Sequence, residues 1–181
     1  MKLSYLAGIG IALTGCIYAS MAHPNSPRSI EIIGDSDCAE KTNEALDLLK
    51  EKAPEYYEIV ENNIGAIQCA PDGSGLRMFN EPVTYVAGVQ TINAGAIWYA
   101  STIAHDSCHA GLYNDYRESH DGNVPNEAWT GKKAEINCLL LQKEVLEELG
   151  AGDSTMQHME DMLDSAYWDI PLSERWWQTR L

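Results

Sequence analysis

His105 and His109 stand four residues apart in the stretch IAHDSCHAGLY (103–113), with Asp106 and Cys108 between them. On a helix of 3.6 residues per turn, positions i and i+4 lie about 40° apart around the axis and one turn along it. Two imidazoles so placed project from one face and reach a single Zn²⁺ at about 2.0–2.1 Å each. In the well-known form of this pattern a Glu follows the first His and acts as general base. Asp106 occupies that position, with a carboxylate one methylene shorter.

Two histidines need a third ligand, and two carboxylates are candidates. Glu135 precedes Cys138 by three residues, and His105 precedes Cys108 by three. A Cys108–Cys138 bridge, which holds Cα atoms about 5.5–6 Å apart, would bring Glu135 toward the histidines. The other candidate, Asp115, follows His105 by ten residues, the spacing of one class of zinc peptidases, although Gly111 lies one place early for the turn that spacing needs and Leu112 stands in its place. Two readings without a catalytic metal stay open beside these. The histidines could be buried and hydrogen-bonded to neighbours, or His105, Cys108, His109 and Cys138 could form a structural Cys₂His₂ zinc set.

The pair HDSCH and AEINC resembles the zincin metallopeptidases, in the branch whose third zinc ligand is a Glu on a later helix. The resemblance spans residues 38 to 149 and implies a zinc-dependent hydrolase of peptide bonds. His105, His109 and Glu135 would be the ligands, and Asp106 the base that takes a proton from the attacking water and passes it to the leaving amine. It also implies an edge strand within 83–92 that aligns the substrate, and Asp106 is the departure from the family's Glu. Tyr113, Tyr116, Arg117 and His120 follow the motif as oxyanion candidates with nothing to choose among them.

Those residues have to be positioned by a fold of class α+β, zincin-like, with an N-terminal helix, a small mostly antiparallel sheet, a central metal-binding helix and C-terminal helices. IEII (30–33) predicts a short strand. The run DSDCAEKTNEALDLLKEK predicts a helix with Asp37 and Glu40 as a capping box and an apolar stripe at Ala45, Leu48, Leu49 and Ala53. Pro54 suits the first position of a second helix carrying Tyr56, Tyr57, Val60 and Ile64. IGAIQC, LRMF and VTYVAGVQTI predict strands around the turn PDGSG. AIWYASTIAHDSCHAGLY is the central helix, apolar on most sides, with Trp98 and Tyr99 packing it. A long loop, 114–129, is expected next, then a helix closed by Gly150, then a last helix capped by Asp153 or Ser154 with Met156, Met159 and Met162 as a packing stripe. His120 and His158 read as surface residues, and Trp176 and Trp177 as packing or as an aromatic patch.

At 181 residues and 45% hydrophobic content the chain is expected to make one domain over 30–181. Its net charge of −15 argues against nucleic acid as a partner. Residues 1–22 predict an export signal, either a lipobox LTGC that leaves Cys16 as a lipidated first residue, the favoured reading, or cleavage after Ala22; 23–29 is a tether. The expected location is the cell envelope, held to the membrane only by that lipid, or else secretion, with a peptide or protein substrate. In an exported chain the four remaining cysteines predict two disulfides; Cys38–Cys69 and Cys108–Cys138 is the preferred pairing of the three possible.

Overall fold

The computed structural model describes residues 29–79 and 82–169. The expected export signal, Cys16, all but the last residue of the expected tether, and the paired tryptophans 176 and 177 lie outside them. Strand β1 (Glu31–Ile33) leads into helices α1 (Ser36–Lys52) and α2 (Pro54–Asn63), then strands β2 (Ala66–Ala70), β3 (Gly75–Arg77) and β4 (Thr84–Gly88). Five helices follow: α3 (Val89–Asn93), α4 (Ala96–Ser119), α5 (Asn126–Trp129), α6 (Lys132–Glu148) and α7 (Asp153–Ser165), with a closing 3₁₀ turn at Tyr167–Asp169. The class is α+β, with a helical majority and one four-stranded mixed sheet.

The sheet order is β1-β2-β4-β3. β1 and β4 both run parallel to β2, and only β3 is antiparallel, on the outside of β4. This corrects the expected mostly antiparallel sheet. The α1–α2 pair is a crossover that returns the chain in its original direction, as parallel neighbours require. β3 then doubles back beyond β4, so β2 and β4 meet. The stretch 83–92 is also not an edge. β4 is interior and all five of its residues are buried, while the remainder, Val89–Asn93, turns into α3; the free edges are β1 and β3.

Other boundaries shift for local reasons. The α1 cap is Asp35, whose carboxylate accepts from the Cys38 amide at 2.9 Å. Asp37 lies inside the first turn and pairs with Lys41. Gly152, not Asp153 or Ser154, caps α7, through its backbone carbonyl. Much of the expected loop is helical: α4 continues through Ser119 and α5 forms at 126–129.

α4 is the axis of the molecule, packed against α1, α2 and α6. Its buried Tyr99, Ala100, Ile103, Ala104 and Ala110 join Leu49, Val60, Ile67 and Tyr85 in the main core. Small residues let neighbouring helices approach α4 closely. The polar groups this burial would strand are paired: Tyr99 Oη with Thr42 Oγ1 at 3.0 Å, and Gln142 Nε2 donating to Ser101 Oγ at 3.1 Å. Two glycines set the ends of the key helices. Gly95, at φ +106°, starts α4, and Gly150, at φ +75°, ends α6. After α6 the Ala151 amide bonds to Leu146 O and the Gly150 amide to Glu147 O, a Schellman closure. Met159 is fully buried with Leu139 and Leu146, with Met156 and Met162 against them, so the methionine stripe is packing.

Cys38 is joined to Cys69 and Cys108 to Cys138, closing loops of 31 and 30 residues. Replacing Cys38 and Cys69 together by serine is expected to lower the unfolding free energy by about 3–4 kcal/mol, read by denaturant titration. Metal uptake should stay intact, because this bridge ties α1 to β2 away from the α4–α6 contact.

Candidate metal centre

Two helices build the site. α4 presents His105 and His109 on one face, and the first turn of α6 presents Glu135 toward them. The Cys108–Cys138 bridge clamps the helices at a Cα separation of 5.6 Å, three residues on from His105 and from Glu135 respectively. Because both cysteines are oxidised, the Cys₂His₂ zinc set is excluded. Asp115 is exposed and stands outside the cluster; it sits two turns beyond the histidines on a helix that does not bend back.

His105, His109 and Glu135 form the one group of three or more possible metal ligands among the described residues. His109 Nε2 lies 3.1 Å from His105 Nε2 and 3.5 Å from Glu135 Oε2, and His105 Nε2 lies 3.9 Å from the same oxygen. The point equidistant from these three atoms is about 2.0 Å from each, which is the length of a Zn–N or Zn–O bond. The donor set therefore fits a small divalent cation. His109 Nδ1 donates to the Trp129 carbonyl at 2.5 Å, which turns Nε2 toward the centre. His105 Nδ1 is buried without a hydrogen-bond partner of good geometry, although the backbone of Cys138 acts on the ring. A buried imidazole whose Nε2 stands 3.1 Å from the Nε2 of a second imidazole is poorly explained as packing alone.

The side chains of His105, His109 and Glu135 are 14%, 7% and 6% exposed, so burial governs their chemistry. Burial, with His109 nearby, pushes His105 down to about 3 and keeps it neutral. For His109, burial acts downward, but Glu135, Asp106 and the Trp129 carbonyl outweigh it and hold the imidazole above its ordinary value. For Glu135, burial acts upward, and the bonds from His109 and Tyr167 together with His105 hold the carboxyl below its ordinary value. Burial raises Asp106 to about 7 against the pull of His109. Asp106 makes no hydrogen bond among the described residues. Its charge acts on Tyr85 of β4 as well as on His109 and Glu135.

Among the described residues one hydroxyl reaches the cluster: Tyr167, in the 3₁₀ turn, donates to Glu135 Oε2 at 2.5 Å. Of the four expected oxyanion candidates, Tyr116 stacks on His120 at the end of α4. Tyr113 meets the Trp129 ring edge-on and carries Arg117 over its face. None of the four is bonded to the triad. His158 is exposed, against the Trp98 ring. Tyr167 and Trp129 were not visible as site residues in the sequence. Neither stands at a ligand spacing, and Trp129 acts through its backbone, which no residue type announces.

No family model, curated protein or solved structure matches the chain. The site is therefore tested by its own residues. Purified chain with both disulfides intact should carry about one divalent ion per molecule, measured by inductively coupled plasma mass spectrometry. Alanine at His105, His109 or Glu135 should empty the site, whereas Asp115→Ala should leave the metal content unchanged.

Proposed function

We propose that this chain is a zinc-dependent hydrolase of peptide bonds built on the plan of the zincin metallopeptidases. His105, His109 and Glu135 hold the ion and Asp106 is the general base. The observation that carries this reading is the common point about 2.0 Å from three ligand atoms on two clamped helices. Structural zinc sites close the tetrahedron with four protein ligands, whereas catalytic sites use three and leave one position for water or substrate. The described cluster has three members.

Bound there, zinc supplies Lewis-acid polarisation of a carbonyl and acidifies water toward pKa ~7. The chain's own groups do the rest. Asp106 adjoins His105 and is not tied down by a hydrogen bond among the described residues, which suits a base that must accept a proton and give it up again. His109 is held in its ligating orientation by the Trp129 carbonyl. An extended peptide needs a free strand edge to pair with. β3, which contacts α4, offers one in place of the interior β4.

A second reading, a metal-holding or partner-binding module with little or no hydrolysis, is favoured by the low exposure of the ligands and by Asp106 where the family has Glu. A chelator-sensitive digest of a peptide library separates the two. The hydrolase reading expects cleavage that Asp106→Asn reduces by about 10²–10⁴-fold while zinc stays bound. Bound zinc without cleavage, and none gained by Asp106→Glu, leaves the module.

The two disulfides fit an oxidising compartment outside the cytoplasm. Among the described residues no helix is long and apolar enough to cross a membrane. In the proposed arrangement lipid on Cys16 holds the domain at the envelope. Intact-mass spectrometry of chain from a membrane fraction should give residues 16–181 plus acyl groups, and a mass beginning at His23 would replace anchoring by secretion.

A further inference from the structure

The 3₁₀ turn at Tyr167–Asp169 grips the very turn of α6 that carries Glu135. Tyr167 Oη donates to Glu135 Oε2 at 2.5 Å. Asp169 Oδ2 lies 3.8 Å from Lys132 Nζ, and that ammonium stands 5.9 Å from the centre of the Trp168 ring. Lys132 and Glu135 are three apart on α6 and so share a side of it. Three consecutive residues thus engage two neighbouring positions of one helical turn. Beneath them Tyr167 and Trp168 pack on the cluster of Leu139, Leu146 and Met159, which fixes the turn more firmly than an exposed ion pair could.

The approach to this turn is itself unusual. Ala166 leaves α7 at φ +48°, ψ +37°, and it is the one non-glycine residue with positive φ among those described. Left-handed backbone is uncommon for alanine. Such a residue persists where the surroundings over-determine it, and these sites cluster where function needs them. Here the left-handed step turns the chain back so that Tyr167 arrives at Glu135 rather than continuing α7 into solvent.

The oxygen that Tyr167 holds is the one facing both imidazoles. A carboxylate has two oxygens and can rotate; a hydroxyl on Oε2 leaves that atom a second lone pair for the metal and removes the freedom to turn away. From this juxtaposition we propose that Tyr167 is a positioning residue of the metal centre, and that the turn 167–169 is a latch fixing the Glu135 carboxylate for its ion. This inference rests on the metal-site reading above. Outer partners of this kind typically govern affinity by about 10- to 100-fold.

The test compares the full chain with Tyr167→Phe, which keeps the ring and its packing and deletes only the hydroxyl. Zinc affinity is read by competition against a chromophoric chelator, and ligand geometry by the visible absorption of the Co²⁺-loaded protein. The expected result is one zinc per chain in both proteins at saturation, a Kd raised about 10- to 100-fold in the variant, and an altered Co²⁺ band. The metal-free melting temperature should fall by only a few degrees, since one hydrogen bond is lost and the ring packing is kept. Lys132→Ala, which loosens the same turn without touching Glu135, should raise Kd by less. Equal affinity and identical Co²⁺ spectra in wild type and Tyr167→Phe overturn the latch and leave the metal site standing. A weaker Kd with an unchanged Co²⁺ spectrum and an equal drop in metal-free stability also overturns it, since that is loosened packing. Wild-type chain that takes up no zinc overturns the site and the latch together.

Discussion

The covalent bond between Cys108 and Cys138 is the constraint on which the rest depends. A metal centre drawn from two helices needs their spacing and rotation fixed to within a fraction of an ångström. Packing of α4 on α6 supplies the approximate approach. The bridge removes the remaining sliding freedom, three residues from one ligand on each helix. Its loop of 30 residues also shortens the list of unfolded conformations, worth about 3–4 kcal/mol. Position and stability therefore come from one bond.

Around that bond the molecule tolerates a concentration of polarity that an apolar core would reject. Two imidazoles and two carboxylates stand together at the α4–α6 contact, mostly out of water. Each leans on another: His109 on Glu135 and the Trp129 carbonyl, Glu135 on Tyr167. Removing a single member would strand the rest without solvent, and the cost of an unpaired buried charge exceeds that of a lost surface contact several-fold. A buried, mutually dependent set of this type is what a divalent ion resolves, by replacing repulsion between imidazole nitrogens with shared coordination.

Much of this was legible in the chain because it depends on short-range regularities. The four-residue spacing of His105 and His109 needs only helical periodicity. Equal offsets of cysteine from candidate ligand on two helices carry the Glu135 pairing. Apolar stripes predicted α1, α2 and α7, a run apolar on most sides predicted α4, and the stop at Gly150 marked the end of α6. What was hidden depends on contacts distant in sequence. Nothing local says that β3 lies outside β4, because three short strands in succession are equally compatible with a meander. The helical turn at Val89–Asn93 is rich in β-branched residues and was expected as strand; its position after the buried β4, bonded through Ser74 and Thr91, overrides propensity. Tyr167 reaches Glu135 across 32 residues through a left-handed alanine, a step no pattern of residue types foretells.

The bond from Cys38 to Cys69 has a consequence for how the sheet is assembled. β2 is bordered on both sides by parallel strands, with Ile67 opposite Ile32 and Tyr85. A slip of one residue in either pairing would turn Ile67 outward and carry the Cys69 sulfur to the opposite face of the sheet. The bridge to α1 can then close only when the strand has settled in its correct alignment. Once closed, the bridge holds β2 in the alignment that keeps Cys69 on the α1 side of the sheet.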